Sequence, residues 1–263
     1  MPDKEKIRGL FDDIAHNYDA FNHLSSFGSD RCWRCRAVRH IADERRALRV
    51  LDVATGTADF ALSIASKLSP GSCVVGVDLS EGMLEIGRAK VAKAGYSDGE
   101  ISAADGFRKE DAGEDVNGIG RGSGRRDVGI QLIQADVEAL PFADGSFDRV
   151  SVAFGVRNFE NRDRGLSEMC RVLRKGGRLV ILELSYPDSA FLLAFYKFYA
   201  FTLLPALGKL LTGNRAAYRY LPASIMNFPK PPQFIPSLLA AGFTSVRARS
   251  FTFGVCRMYV AEK

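Results

Sequence analysis

The sequence predicts an α/β fold built on a mostly parallel, Rossmann-like sheet. Two short apolar segments, residues 48–54 and 73–78, have the composition of buried strands. The first carries Asp52 near its end, and the second ends at Asp78. A turn containing Gly56 follows the first strand and leads into a helix start. This order of strand, glycine turn, helix and strand is typical of a unit that binds an adenosine-containing cofactor.

The composition of the glycine turn distinguishes between cofactors. A dinucleotide site uses three glycines so that the backbone approaches the pyrophosphate, but residues 55–60 contain Gly56 alone. Asp59 in the same turn would repel phosphates, which disfavours a nicotinamide oxidoreductase. S-adenosylmethionine has no phosphate, and Asp52 and Asp59 would attract its ammonium and sulfonium charges. Asp78 would accept hydrogen bonds from the ribose hydroxyls.

Further strands extend the same pattern. Asp136 follows a third strand, where the adenine amino group would need an acceptor. A closing hairpin, residues 244–251 and 255–261, is expected to form an antiparallel edge of the sheet. The whole pattern therefore predicts a seven-strand class I methyltransferase sheet of Rossmann-like topology with an antiparallel last strand. The remaining predicted strands are residues 130–135, 147–153, 178–184, 244–251 and 255–261.

The chain is interpreted as one domain spanning residues 1–263. We expect a helical N-terminal cap over residues 1–45, with helices at 3–20 and 29–45. A helical segment at 186–241 is expected to precede the last two strands and to face substrate or membrane. Residues 105–129 contain seven glycines and eleven charged residues in 25 positions, which is typical of a flexible surface insertion. A lid is the alternative interpretation of that insertion.

Charge and aromatic residues are concentrated near the C-terminus. Residues 190–263 carry nine Lys or Arg and one acid, a net +8, so residues 1–189 carry −3. Six aromatic residues fall within 191–201, and this basic, aromatic pattern predicts contact with an anionic membrane surface. The expected location is therefore cytoplasmic and peripheral to the membrane. The alternatives are aromatics that cover the sheet, a homodimer interface, or a nucleic-acid surface.

The cysteines predict neither a disulfide framework nor a metal site. Five cysteines are scattered along the chain, as is common in a reducing compartment. Cys32 and Cys35 form a C-x-x-C pair, but no second pair or histidine cluster accompanies it. No apolar run reaches the length of a membrane span, and the first residues lack a signal-peptide core.

Four further segments resemble one family, the menaquinone/ubiquinone biosynthesis C-methyltransferases. The resemblance covers nearly the whole chain apart from the insertion. Ala153 stands where the family often has Ser, Lys175 where Pro is usual, Asp30 where His is common, and Ser25 where an aliphatic residue is usual. The matching segments are residues 18–33, 154–158, 171–177 (continuing to Glu183) and 218–225.

The resemblance implies methyl transfer from S-adenosylmethionine to a ring carbon of a prenylated quinol, demethylmenaquinol. By the same resemblance, Thr57, Asp78, Asp136 and Val137 contact the cofactor. A ubiquinol precursor, another small molecule and an RNA are the alternative acceptors. The segment at residues 154–158 contains no Asn-Pro-Pro-Tyr element of nucleic-acid methyltransferases, so nucleic acid is not the expected partner.

The chemistry of ring methylation suggests which residues act on the acceptor. A ring carbon becomes nucleophilic when the neighbouring phenol ionises, and a free phenol has a pKa near 10. Arg157 is the candidate to stabilise the phenolate, and Asn158 is the candidate to orient the ring oxygen. Tyr18, Asn22 and Tyr218 are expected to line the quinol pocket. The alternatives are a solvated strand-end charge for Arg157 and core positions for the two tyrosines.

Overall fold

The strands form one continuous sheet. In the computed structural model, which describes residues 3–96, 127–203 and 215–263, seven strands are present. They are β1 (Arg49–Val53), β2 (Cys73–Asp78), β3 (Gly129–Gln134), β4 (Phe147–Ala153), β5 (Leu173–Leu184), β6 (Ser245–Phe251) and β7 (Cys256–Glu262).

The strand order confirms the predicted seven-strand class. The sheet runs β3-β2-β1-β4-β5-β7-β6, and β7 is antiparallel to both of its neighbours. All other pairs are parallel, so the carboxyl ends of β1, β2, β3 and β4 meet at one edge. The order reverses beside β1, and this switch point opens a crevice outside the strand ends. The predicted carboxylates Asp52 and Asp78 lie at that edge.

Helices cover both faces of the sheet. Ser80 Oγ caps α4, as its position before that helix suggests, by accepting from Met83 N at 3.1 Å. The helices are α1 (Lys4–Ser25), α2 (Ser29–Ile41), α3 (Asp59–Ala65), α4 (Glu81–Lys93), α5 (Arg162–Val172), α6 (Ala190–Phe198), α7 (Arg215–Asn227) and α8 (Pro231–Ala240).

Some boundaries differ from the sequence-based expectation. Helix α2 ends at Ile41, four residues before the expected end. Strand β5 begins at Leu173, because this residue pairs with Phe147 before a bulge. A π-helical turn, Tyr199–Leu203, continues α6. Residues 105–126 of the predicted insertion at 105–129 lie outside the described residues. Residues 204–212 of the helical segment expected at 186–241 also lie outside them.

Two apolar layers hold the helices against the sheet. On one face, α5 and α8 contribute Leu166 and Phe234, which are fully buried against β4, β5 and β7. On the other face, α2, α3 and α4 contribute Ile41, Ile64 and Leu84, also fully buried. Within the described ranges, no helix is long and apolar enough to cross a membrane. The polar strand ends therefore lie between two dry layers that fix their geometry.

Candidate active site

The glycine turn after β1 is conformationally tight. Gly56 has φ 55°, and Ala54 and Ala58 on either side also have positive φ values of 51° and 65°. Backbone in this region is unfavourable for residues with a side chain and persists only when the surroundings hold it. Gly155, at the end of β4, allows the turn to approach, because a Cβ there would lie 2.5 Å from Ala54 Cβ. The turn and β4 are thus built to fit each other closely.

Asp52 is a buried carboxylate beneath this turn. Ser151 Oγ donates to its Oδ1 at 2.7 Å, and Thr55 Oγ1 donates to its Oδ2 at 2.8 Å. Burial raises the pKa of Asp52 to about 6, although the two hydroxyls act in the opposite direction. A carboxylate with so little solvent gains stability from any cation placed beside it.

Asp78 stands at the next strand end and fixes the turn. Its Oδ2 accepts from Gly56 N at 2.8 Å, and its Oδ1 accepts from Ser80 N at 3.0 Å. Desolvation raises the pKa of Asp78 above its ordinary value, although these amide donors oppose the shift. Each oxygen keeps a second lone pair, so the carboxylate can accept two further hydrogen bonds from a vicinal diol.

A cavity between this edge and α1 contains several of the predicted cofactor residues. We name it the glycine-turn cavity. Asp136 Oδ1 caps the turn after β3 by accepting from Glu138 N at 2.9 Å, and Val137 is buried in the wall. The residues that define the cavity are Lys4, Phe11, Tyr18, Gly56, Asp78, Leu79, Met83, Asp136, Val137, Phe154, Asn158 and Phe159.

Helix α1 closes this cavity through polar contacts. Lys4 Nζ donates to Asp136 Oδ2 at 3.0 Å, near the start of the helix. Near its other end, Asp19 accepts from Thr57 Oγ1 at 2.6 Å and from Lys90. Residues predicted to bind the cofactor therefore also hold the N-terminal cap in place.

A smaller pocket adjoins the glycine-turn cavity beyond Gly56. We name it the carboxylate pocket, because Asp19, Asp52 and Asp59 line it together with Thr57 and Arg34. Asp59 pairs with Lys90 Nζ at 2.7 Å and with Arg34 Nη1 at 3.0 Å. Burial would raise the pKa of Asp59, but these two cations outweigh it and hold that pKa below the ordinary value. Neither cation was predicted from the sequence.

A third space, of about 240 Å³, lies on the far side of Phe154. We name it the aromatic cavity. Its walls come from α1, α2, α6, α7, the end of β5, the loop between α1 and α2, and the loops after β4 and β6. Its main lining residues are Asn22, Phe27, Trp33, Phe154, Arg157, Leu184, Tyr196, Tyr199, Leu221, Ile225, Thr252 and Val255.

Arg157 supplies the buried cation of the aromatic cavity. Its Nη1 donates to Glu183 Oε1 at 2.8 Å, and its backbone N donates to Glu183 Oε2 at 3.1 Å. Burial would lower the pKa of Arg157, but Glu183 raises it above the ordinary value, so the guanidinium stays charged. Its Nε has no hydrogen-bond partner among the described residues. The alternative of a solvated strand-end charge is wrong, because Arg157 is only 6 % exposed.

The predicted acceptor residues divide between two spaces. Asn22 and Arg157 line the aromatic cavity, whereas Tyr18 and Asn158 line the glycine-turn cavity. Asn158 Oδ1 accepts from Tyr220 Oη at 2.9 Å. The side chain of Tyr218 lies outside the described residues.

Phe154 separates all three spaces. Its backbone has φ 61°, and its ring contributes to the wall of each. Trp33, whose ring centroid lies 6.3 Å from that of Phe154, donates from Nε1 to Thr252 Oγ1 at 3.0 Å. Sequence reasoning missed Tyr196 and Tyr199 as wall residues of the aromatic cavity, and Glu183 as the partner of Arg157. Two tyrosines in an apolar helical segment and one acid within a strand form no local pattern that distinguishes them from core residues.

The strand order, the glycine turn and the carboxylates at the strand ends define a class I methyltransferase. Among solved structures, a SAM-dependent methyltransferase from Thermotoga maritima, described as a possible histamine N-methyltransferase, superposes with a TM-score of 0.58. The match covers 97% of this chain and 99% of that one at 16% identity, which supports the fold alone.

Sequence comparison identifies the family. Residues 2–128 and 121–263 match the ubiE/COQ5 methyltransferase family. A "Ubiquinone/menaquinone biosynthesis C-methyltransferase UbiE" of Geobacter sulfurreducens is 43% identical over 98% of this chain and 89% of its own. A "Demethylmenaquinone methyltransferase" of Thermus thermophilus is 41% identical over 97% of this chain and 100% of its own. The chain belongs to the ubiE/COQ5 methyltransferase family and is an S-adenosylmethionine-dependent methyltransferase.

Proposed function

We propose that the protein methylates a ring carbon of a prenylated quinol, converting demethylmenaquinol to menaquinol. The observation that carries this proposal is the aromatic cavity, which places a buried, permanently charged Arg157 among apolar walls. A flat aromatic ring with an ionisable hydroxyl fits such a cavity, because the walls suit the ring and the cation suits the oxyanion. The names of the relatives from Geobacter and Thermus support the same reaction class.

The cofactor residues would act as follows. Asp78 would accept hydrogen bonds from the ribose hydroxyls, and Asp136 would accept from the adenine amino group beside Val137. Gly56 and Thr57 would form the turn around the nucleoside. Asp52 and Asp59 would attract the positive charges at the methionyl end. S-adenosylmethionine, when bound, supplies an electrophilic methyl group.

The acceptor residues would prepare the ring for attack. Arg157 Nε, which has no partner among the described residues, would donate to the ring oxygen and lower the pKa of the phenol. The phenol proton would pass to a water molecule, because the raised pKa of Arg157 prevents the guanidinium from accepting it. Asn158, held by Tyr220 at the boundary with the glycine-turn cavity, would orient the ring oxygen, and Tyr18 and Asn22 would restrict the ring on either side of Phe154.

Acceptor identity is tested by competition in one reaction. The protein is incubated with methyl-labelled S-adenosylmethionine, reduced demethylmenaquinone, a demethylated ubiquinol precursor and total RNA, and each fraction is analysed by mass spectrometry. We expect label in the naphthoquinol fraction. Label in the benzoquinol alone would favour the ubiquinol alternative, and label in RNA alone would contradict the proposal.

We also propose that the mouth of the aromatic cavity rests on an anionic membrane surface. Phe27 and Phe253 are 79% and 80% exposed, and both occur at positive φ on loops whose neighbours line the cavity. The Phe27 ring lies 5.8 Å from that of Tyr199, next to the exposed Phe195 and Phe198 of α6. Three segments thus present phenylalanines near this cavity, and residues 190–263 carry a net charge of +8, which would attract anionic lipid.

Vesicle binding tests this surface. Phe27→Asn and Phe253→Asn keep a residue that tolerates positive φ, so the loops are not strained by the change. Since burying one phenylalanine contributes about 1.5–3 kcal/mol, we expect each substitution to weaken binding to anionic vesicles about tenfold or more. Leu239→Asn, on α8 and 47% exposed, is the matched control. Binding equal to that of the control would contradict the membrane contact, and a change in sedimentation mass would favour a homodimer.

A further inference from the structure

We propose that Arg34 binds the methionyl carboxylate of S-adenosylmethionine. Arg34 lies on α2, in the N-terminal cap, and its side chain is 11% exposed. It reaches the carboxylate pocket, where it meets Thr57 and Asp59 of the glycine turn. The sequence motifs of the turn end at Asp59, so they contain no cation for the acid end of the cofactor.

The guanidinium of Arg34 has unused hydrogen-bonding capacity. Its Nη1 donates to Asp59 Oδ2 at 3.0 Å, and its Nη2 lies 3.4 Å from Asp30 Oδ2. Its Nε has no hydrogen-bond partner among the described residues, although the residue is 91% buried. Buried N–H groups are almost always partnered, and a guanidinium offers five of them. A carboxylate in the pocket would satisfy the remaining donors in a bidentate geometry.

The charges around the pocket support the same assignment. Asp19, Asp52 and Asp59 line it, and Arg34 is the one cation among its described lining residues. Lys90, which does not line the pocket, pairs with Asp19 and Asp59. Three carboxylates face two cations, Arg34 and Lys90, so the surroundings of the pocket remain negative. This charge suits an ammonium and a sulfonium, but it would repel the carboxylate of the same ligand. Arg34 offsets that repulsion on one wall of the pocket. The zwitterionic end of the cofactor would thus find each of its charges matched.

Three ligands that differ at this end test the proposal by calorimetry. S-adenosylmethionine carries the carboxylate, its decarboxylated form lacks it but keeps both positive charges, and 5′-methylthioadenosine lacks the whole amino-acid end. Because charge-assisted hydrogen bonds contribute about 1.5–3 kcal/mol, Arg34→Gln should raise the Kd of S-adenosylmethionine about ten- to a hundredfold. The Kd of 5′-methylthioadenosine should not change. The decarboxylated ligand should bind equally or more tightly, since the pocket has lost a positive charge.

A structural role for Arg34 predicts a different pattern. If Arg34 serves only to hold α2 against the turn, Arg34→Gln will weaken all three ligands by one factor, and this result overturns the proposal. Arg39→Gln, an exposed arginine on the same helix, is the matched control and should leave every Kd unchanged. Arg34→Lys keeps the positive charge but loses the planar guanidinium that binds a carboxylate through two hydrogen bonds. It should give an intermediate Kd for S-adenosylmethionine.

The unmodified protein provides a measurement that does not depend on a stable variant. It should bind S-adenosylmethionine at least several-fold more tightly than the decarboxylated form, and equal affinities would overturn the proposal. None of these titrations contains a quinol. A result that contradicts the role of Arg34 therefore says nothing about whether the acceptor is a quinol, and the two proposals can be tested separately.

Discussion

The cofactor side of the cleft and the aromatic cavity differ in how they are built. The cofactor side depends on Asp52, Asp78 and Asp136, which lie at or just after the ends of three neighbouring parallel strands. The aromatic cavity takes side chains from helices and loops as far apart as Phe27 and Val255. The cofactor side is fixed by hydrogen bonds to carboxylates at the strand ends, and the aromatic cavity by packing between distant segments. Arg157 and Glu183 form a buried ion pair at the aromatic cavity, where apolar residues exclude solvent from it.

Breaking that ion pair should have the largest effect. Arg157→Met leaves the fully buried Glu183 uncompensated, so we expect a loss of about 3–5 kcal/mol in the free energy of unfolding. Turnover should also fall strongly, with the Kd of the cofactor nearly unchanged. The double variant Arg157→Met/Glu183→Gln removes both charges and should recover most of the stability without recovering turnover. Full turnover in the double variant would show that Arg157 is not catalytic.

Asp52→Asn should stabilise the cofactor-free protein while weakening cofactor binding. The pKa of Asp52 rises from 3.8 to about 6 on folding, so the folded state retains a proton between those values. The contribution of Asp52 to the free energy of unfolding therefore falls by about 3 kcal/mol as the pH rises from 4 to 6. Urea unfolding should show the variant more stable at pH 7.5 and similar to the unmodified protein at pH 4. An equal difference at both pH values would contradict this explanation.

Asp78→Asn should weaken cofactor binding without changing the binding of a quinol to the aromatic cavity. Removing the charge weakens the hydrogen bonds expected with the ribose, and about 1.5–3 kcal/mol corresponds to a ten- to hundredfold increase in the cofactor Kd. Binding of a non-reactive quinol analogue to the aromatic cavity should be unchanged. Asp144→Asn, at an exposed carboxylate that pairs with Arg171, is the control. A parallel loss of quinol affinity would mean that the two regions are not independent.

Tyr220→Phe should give the smallest effect, at the boundary between the regions. It removes the hydrogen bond to Asn158, which contributes about 0.5–1.5 kcal/mol. We expect kcat to fall about two- to tenfold, because the amide is less well oriented, while the cofactor Kd stays constant. Steady-state kinetics with a short-chain quinol would detect this change. If the cofactor Kd changes and kcat does not, Asn158 contacts the cofactor and does not orient the quinol.

The sequence predicted the sheet and its carboxylates more accurately than it predicted the helices. Residues 147–153 were predicted as a strand and form β4, because a short, mostly apolar stretch with β-branched Val150 and Val152 is typical of a buried strand. The π-helical turn at Tyr199–Leu203 was not predicted, since its apolar composition also suits an uninterrupted helix. Tyr18, expected beside the quinol, lines the glycine-turn cavity because α1 crosses over that cavity.

The order of strand, turn and aspartate in residues 48–78 indicated a parallel α/β unit and the methyl donor, and the later strands added the seven-strand class. The first two features depend on backbone geometry and on charges within one βαβ unit, so a short stretch of sequence contains them. The tertiary structure alone decided that Arg34 and Lys90 enclose Asp59, that Glu183 holds Arg157, and that Phe154 divides the cleft. These arrangements join residues from separate segments, and only the packing of helices on the sheet brings them together.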